Sequence, residues 1–517
     1  KDDYVKFIRF AQWRIQQTGY GILGFVTNHG YLENTTFRGM RQALMQDFDE
    51  IYILDLHGNS KKKEFAPDGS IDNNVFDIQQ GVAIGIFVKY REPKKRSSAG
   101  VYHAHLHGKR ALKYQYLMEN STKTTQWTKL QPQAPHYLFA PQNRELLAEY
   151  EQGWKVTEMM PVNSVGIVTA RDSLTIHQSP HAAMRTLKDF IELDTEKARL
   201  KYNLGVDTRD WKVALAQNDI KEHGLDRIMP VLYRPFDTRF TCYTGKSRGF
   251  ICMPRTEVMQ HMLQGENLGL LTTRKVEAGT FGHALVTEVI AESHAVSLKE
   301  INYLFPLFLY PSKKTAYFAD NDADIARKPN FSPEFIKDVE TRLNLQFIVE
   351  DKGDFQRTIS ALDIFHYAYA IFHSPRYRQR YAEFLKIDFP RLPLTRNKAL
   401  FQQLADLGEK LVEIHLMKAD LETETHFPIV GNNIVDKVAY KENRVYINKT
   451  QYFDNVKSEV WEFQIGGYQV CQKWLKDRKG QALSYDDCMH YFYILSALAA
   501  TQELMKKSDT IIPTFPF

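Results

Sequence analysis

Three histidines alternate in the run VYHAHLHG, at His103, His105 and His107. On a strand that spacing sends all three to one face, where imidazoles could gather as metal ligands. A half-buried strand without a metal explains the spacing equally, and no metal is assigned from sequence. The stretch TGYGILGFVTNHGYL carries Gly19, Gly21 and Gly24 in the order G-x-G-x-x-G. A phosphate loop of that type must follow a strand and open a helix, so that amide N–H groups and the helix dipole meet the anion. Gly245, Lys246 and Ser247 resemble the end of a P-loop, but Phe240 stands where its first glycine belongs. The densest cationic set is Arg234, Arg239, Lys246, Arg248, Arg255, Arg274 and Lys275, interleaved with Tyr233, Tyr243 and Phe250. Arginine reads guanine O6 and N7 bidentately and both cations neutralise phosphates, so this is the composition of a DNA-reading surface. Arg234 and Arg239, within YRPFDTRF beside Asp237, fit internal ion pairs better, whereas Arg248, Arg274 and Lys275 favour DNA.

The elements that would position these residues follow from hydrophobic periodicity. Tyr4, Ile8, Ala11 and Ile15 share one face of a helix that Gly19 and Gly21 stop. Ile22 to Thr27 reads as a buried strand, so the glycine fingerprint follows a helix and precedes a strand, the reverse of what phosphate binding needs. Asn34, Thr35 or Thr36 caps a second helix with Phe37, Met40, Leu44 and Phe48 on one face. Ile51 to Leu56 and Val82 to Val88 are apolar strands, the first typical of a strand covered on both sides. Pro93 to Ser98 reads as a solvated connection, and the sequence to about residue 150 as irregular. Residues 150 to 350 read as mixed α/β or mainly β, with many short elements. Beyond 355 long helical patterns dominate, one opened by Ser484 with Asp487 three residues on as a capping pair.

The chain has 517 residues, too many for one compact core. No apolar run is long enough to cross a bilayer and no signal peptide opens the chain, which reads as cytoplasmic. Four scattered cysteines, Cys242, Cys252, Cys471 and Cys488, lack zinc or disulfide spacing and read as buried thiols. A net charge of +5 permits a nucleic-acid partner without requiring one.

The segments YVKFIRFAQ, GFVTNHGYLENTTFRGMRQALM, IYILDLHGN, KKKEFAPDG and NVFDIQQGVAIGIFVK resemble, in order, the C-terminal half of a γ-class adenine-N6 DNA methyltransferase, and more closely that of type ISP restriction-modification enzymes. VLYRPFDTRF, HSPRYRQRYAEFLKIDFPRLP and GYQVCQKWLKDRKGQALSYDDCMHYFYILSAL resemble the target-recognition and specificity regions of the same enzymes. The resemblance implies an α/β fold: the C-terminal part of a Rossmann-like methyltransferase sheet over 1–115, a mixed α/β target-recognition domain over 116–350, and a mainly helical specificity region over 351–517. It implies sequence-specific binding of double-stranded DNA and S-adenosylmethionine-dependent adenine methylation, the base being flipped into a pocket. The family's N/D-P-P-Y/F catalytic loop and its Gly-rich cofactor loop are absent, and Lys1 is expected to fall just after them in a longer polypeptide. This chain alone is then inactive. ATP and Mg2+ belong to a translocase and nuclease further upstream. A stand-alone defence methyltransferase and a pure DNA-specificity subunit are the alternatives.

By the same resemblance Phe76 packs against the flipped adenine. Gln79 and Gln80 either touch that base or a nearby phosphate, or lie in a solvated loop. Asn28, His29, Gly30 and Tyr31 follow a strand whose C-terminal end faces the cofactor and DNA crevice. Arg376, Arg378 and Arg380, with Tyr377 and Tyr381, either grip the DNA backbone or form an exposed charged helix face. No catalytic residue and no metal ligand is expected within the chain itself.

Overall fold

The computed structural model describes all residues except 1, 63, 93–97, 278 and 312–326, and the side chain of Lys62 is likewise left undescribed. Most of the proposed connection Pro93 to Ser98 therefore lies outside the described residues. The chain forms two compact units, one of residues 1–147 with 277–279, the other of 148–276 and 280–517.

The first unit is an α/β layer structure. Helix α1 (Asp3–Thr18) ends at Gly19, whose φ of 79° is open to glycine at little cost and lets its N–H reach the Ile15 carbonyl. Strand β1 (Gly21–Asn28) leads into a short helix α2 (Gly30–Glu33) and then α3 (Arg38–Asp47), with Asn34 accepting the Thr36 N–H at the turn between them. Strands β2 (Glu50–Asp55), β3 (Val82–Lys89), β4 (Gly100–His105) and β5 (Thr128–Leu130) complete a sheet in the order β1-β3-β2-β4-β5, with helix α4 (Arg110–Glu119) between β4 and β5. β2 and β4 are parallel, while β3 inserts between β1 and β2 antiparallel to both. β2 and β3, consecutive strands of the sheet joined by a long loop, thus pair antiparallel, and β3 also pairs with β1.

Period-2 alternation divides the sheet between two cores. Ile51, Ile53, Ala83, Phe87 and Val101 pack with Ile8 of α1 and Leu44 and Met45 of α3. Leu54, Leu56, Val82 and Ala104 pack on the other side with Tyr116 and Leu117 of α4 and with Trp127. β1 departs from the buried strand expected of it. Its residues alternate between half-buried and exposed, with Ile22 70% and Val26 45% exposed, because it lies at the sheet edge and only Leu23 and Phe25 face the core. The region expected to be irregular up to residue 150 instead holds β4, α4 and β5. Their polar residues, among them Tyr102, His103 and Lys113, hid the apolar pattern.

The second unit has several small sheets followed by helices. One sheet takes the order Ala284–Thr287, Gly269–Thr273, Asn302–Pro306, Ser164–Val165, and another Ile290–Ala291, Ile228–Arg234, Asp237–Cys242. The buried helix Ala361–His373 packs against Lys398–His415, and both meet the long helix Tyr485–Ile511. That last helix opens with the expected capping box: Ser484 Oγ accepts the Asp487 N–H, and Asp487 Oδ2 accepts the Ser484 N–H. All four cysteines are buried and free. Among the described residues no helix is long and apolar enough to cross a membrane.

Two histidines of this helical core stay neutral. Burial pulls the His366 pKa down to about 4 and that of His415 to about 3. The Tyr369 hydroxyl meets His415 Nδ1 at 2.5 Å, and Thr501 Oγ1 lies 3.0 Å from its Nε2. Unfolding restores pKa values near 6.5, so the unfolded chain binds more protons as acid is added below that value. Stability should therefore fall between pH 6.5 and about 4, by roughly 1.4 kcal/mol per pH unit per histidine. Urea midpoints at pH 7 and pH 5 measure the loss, and His415→Gln should reduce the pH slope by about one proton's worth.

Candidate functional site

The C-terminal ends of the parallel strands β1, β2 and β4 lie at one edge of the first sheet, where open α/β sheets bind ligands. Asn28 and His29 leave β1, Asp55, Leu56 and His57 leave β2, and His105 and His107 leave β4. His29 Nδ1 is 3.0 Å from Asp55 Oδ1, and the Asn59 side-chain amide nitrogen lies 3.2 Å from His29 Nε2. Gly81 has no side chain because the His29 ring fills that space, within 2.2 Å of where a Cβ would stand. His57 Nδ1 meets Glu64 Oε1 at 2.7 Å and its Nε2 meets His105 Nδ1 at 2.8 Å. The His107 ring stacks on His57 with centroids 3.8 Å apart.

The electrostatics follow from burial and these partners. Burial raises the cost of charge on Asp55, yet the hydrogen bond from His29 and the nearby His29 and His57 hold its carboxyl well below the usual range. Burial opposes protonation of His57, but Glu64, Asp55 and Asp72 together lift its pKa above the ordinary histidine value. Burial drives the other way at His103, down to about 4, and also lowers His105 and His107, which sit beside His57.

The loop between β2 and β3 is anchored from beneath. Lys113 of α4 is fully buried, donates to the carbonyls of Leu56 and Asn73 at 2.6 and 2.7 Å, and pairs with Asp72 at 2.9 Å. Asp72 also accepts the N–H groups of Gly58 and Gly108, both at 2.6 Å. Gly58 adopts φ 80°, and a Cβ there would fall 2.4 Å from the Asn74 backbone, so both its conformation and its contact demand glycine.

This loop carries the proposed base-pocket residues. Phe76 is 46% exposed, with its N–H bound to Asn74 Oδ1 and its carbonyl held by Arg110 Nη2. Its backbone is therefore fixed while its ring stays open to solvent. Gln79 is exposed and Gln80 half-buried, the latter's carbonyl accepting from the Asn74 side chain at 2.6 Å. The His29 N–H donates to the Gly81 carbonyl at 3.0 Å, which joins the β1 end to this loop. Asn28 Oδ1 accepts the Gly30 N–H at 2.7 Å and shapes the turn into α2. Tyr31 lies in the core with its hydroxyl buried, so it supports the crevice from behind. Sequence reasoning missed His57 and Lys113. The motif IYILDLHGN contained His57, but only the fold shows that it joins the alternating histidines.

In the second unit Arg248 and Arg255 line a cavity of about 290 Å³ together with Ser247, Thr256 and Asp210. Arg248 is mostly exposed and its Nη2 stands 3.9 Å from Asp210. Arg255 places Nη2 on Met253 Sδ at 3.3 Å, while its Nε is buried with no hydrogen-bond partner. Lys246 forms an exposed pair with Glu222 at 2.5 Å. Arg274 reaches Asp388 at 3.3 Å and Lys275 follows it, half-buried. As expected of them, Arg234 is buried against Glu292 at 2.8 Å, and Arg239 pairs with Asp237 at 2.7 Å.

Arg376 and Arg378 bind this chain itself. The Arg376 guanidinium donates to the carbonyls of Ile512 and Pro513. Arg378 Nε donates to the Phe372 carbonyl at 2.7 Å, and burial lowers its pKa to about 10. Arg380 forms a two-pronged pair with Glu149, both contacts at 2.6 Å.

The first unit of this α/β chain presents histidines and an open aromatic at one sheet edge, and the second holds an arginine-lined cavity. The sequence model of the family "Type ISP C-terminal specificity domain" matches residues 158–507, more than half of the chain. The chain belongs to that family. A comparison with curated protein sequences gives no match. Three solved structures are similar in fold: a nuclease-deletion mutant of the Type ISP restriction-modification enzyme LlaGI in complex with a DNA substrate mimic, at 19% identity and TM-score 0.66; a DrdV–DNA complex, at 19% and 0.70; and the ATP-dependent Type ISP enzyme LlaBIII bound to DNA, at 18% and 0.71. They align with 98%, 99% and 99% of this chain, which spans only 40%, 52% and 34% of theirs.

Removing the buried ammonium tests what holds the first region together. Lys113→Met leaves Asp72 charged and unpaired in the interior, and should cost about 3–5 kcal/mol. Denaturant unfolding measures the loss, and amide exchange should rise first at Gly58 and Gly108.

Proposed function

We propose that this chain recognises a specific sequence in double-stranded DNA as the C-terminal portion of a Type ISP restriction-modification enzyme. The observation that carries this reading is the fold likeness, over nearly the whole chain, to three structures determined with DNA. In this reading the three parts 1–115, 116–350 and 351–517 are the end of the methyltransferase domain, the target-recognition domain and the specificity region. The five-stranded sheet is the C-terminal part of a Rossmann-like adenine-N6 methyltransferase sheet. The cavity-lining Arg248 and Arg255, with Lys246, Arg274 and Lys275, meet DNA, and of these Arg248 is the freest to do so.

The residues present do not by themselves fit S-adenosylmethionine. The end of the sheet that would face it is filled by His29, Asp55 and His57 bound to one another and to Asn59 and Glu64. Among the described residues no glycine-rich loop follows a strand of this sheet to take the cofactor. In this reading the cofactor site and catalytic loop belong to other parts of the enzyme, as do the ATP and Mg2+ sites of a translocase. This chain's own contribution is to hold the target base: the Phe76 ring offers an open apolar face on a fixed backbone, as stacking on an unpaired base requires.

DNA binding by this chain should weaken about 100-fold between 50 and 200 mM salt if four phosphates are contacted. Fluorescence anisotropy with a labelled duplex measures it, and salt-independent affinity would sink the reading. Phe76→Ala, placed in the complete enzyme, should lower methyl transfer far more than DNA affinity. Equal loss of both would make Phe76 a residue of the fold alone.

A further inference from the structure

The histidines at the end of the first sheet go beyond what DNA recognition needs. His57, His105 and His107 each offer a ring nitrogen, and these three nitrogens lie within 4.8 Å of one another. Two of them, His57 Nε2 and His105 Nδ1, already face each other at 2.8 Å. Tetrahedral zinc with bonds of 2.0–2.1 Å separates its ligand nitrogens by about 3.4 Å. Metal binding would open the His57–His105 pair to that spacing and take its third nitrogen from the half-buried His107.

We propose that His57, His105 and His107 form a three-imidazole site for a divalent transition metal, zinc foremost, with Glu64 as its outer carboxylate. A metal-binding imidazole directs its second nitrogen at a carboxylate or carbonyl, which fixes the tautomer and orients the ring. His57 does this already: Nδ1 is held by Glu64 at 2.7 Å, with the Asp55 carboxylate 3.7 Å away, and Nε2 is turned toward His105 Nδ1. His107 Nδ1 is buried with no hydrogen-bond partner, a vacancy that a hydrogen-bonded histidine cluster leaves unfilled. The frame is built in advance, since Asp72 accepts the N–H groups of Gly58 and Gly108, each adjacent to one ligand. His105 is exposed and supplies the path of entry. Asp55 and Glu64 bring negative charge to balance the ion.

Three neutral imidazoles suit zinc, copper, nickel or cobalt and not magnesium or calcium, which take oxygen ligands. Three protein ligands leave a fourth position for water or for a group brought by another molecule. The metal would tie the loop after β2 to the turn after β4, and so stiffen the loop that carries Phe76.

The test uses the full chain stripped with a chelator and titrated with Co2+, then with Zn2+. One equivalent of Co2+ should produce the visible absorption of four-coordinate cobalt, and Zn2+ should abolish it. His105→Ala and His107→Ala should each weaken Zn2+ binding at least ten-fold, Glu64→Gln about ten-fold with unchanged stoichiometry, and the exposed His181→Ala not at all. Zn2+ should also raise the denaturation midpoint of the parent chain and leave that of the His105→Ala/His107→Ala double variant unmoved. Circular dichroism of the metal-free variants separates lost ligands from lost fold, because both side chains lie outside the core. Absence of a saturable cobalt spectrum, or binding that survives the double variant, overturns the proposal.

Discussion

One carboxylate organises the functional end of the first unit. Asp72 and Lys113 form an ion pair whose two side chains are wholly sealed from solvent. Removing two charges from water costs several kcal/mol per ion, and mutual attraction offsets this only when further hydrogen bonds satisfy both groups. Those bonds are present: Lys113 also holds the Leu56 and Asn73 carbonyls, and Asp72 also holds the Gly58 and Gly108 amides. Four backbone points on three separate segments therefore converge on one pair. The contribution of such a pair lies more in specifying one arrangement than in net stability. The pair thereby holds the loop that carries His57 and Phe76 at Leu56, Gly58 and Asn73, and these two residues' own bonds run to Glu64 and His105 and to Asn74 and Arg110.

The second unit spends its cations in the same way. Arg234 is matched to Glu292, and Asp237 receives both Arg239 and Arg478. Arg234 also lies 3.7 Å over the Tyr233 ring and Arg478 3.5 Å over that of Trp474. These guanidinium groups behave as flat, partly apolar building blocks, a use to which lysine is poorly suited. A basic run in the sequence therefore overstates the charge available to a phosphate backbone, because arginines such as Arg234, Arg239 and Arg478 are already paired within the chain.

What the sequence made legible follows from which residues carry a local signal. Helix α1, strand β2 and the capping box at Ser484 were readable because periodicity and capping are properties of neighbours along the chain. The place of β3 between β1 and β2 is a property of pairing, and no run of residues encodes it alone. β4 and α4 were hidden by polar residues that interrupt the apolar pattern: His105 and Lys113 face polar partners, while His103 is buried with both ring nitrogens unpaired. The histidine cluster was half visible. His103, His105 and His107 announced themselves by spacing, but His57 lies 48 positions from His105 and joins it only through the parallel pairing of β2 with β4. Arg376 and Arg378 show the converse, since composition cannot tell a carbonyl partner within the chain from a phosphate outside it.

Backbone conformation separates the arginines that composition could not. Arg248 and Arg255 both adopt positive φ, 59° and 56°, in a region that costs a side-chain-bearing residue on the order of 1–2 kcal/mol. Such strain persists only where surrounding bonds determine it. The Arg248 N–H is tied to the Cys252 carbonyl, and the Arg255 carbonyl accepts the N–H groups of Val258 and Met259. Glycine or asparagine would relieve both positions, so what arginine supplies there is its side chain. Both residues thereby line the same cavity from a fixed backbone, and a charge held by a fixed backbone loses less entropy on meeting a partner than one at the end of a mobile loop.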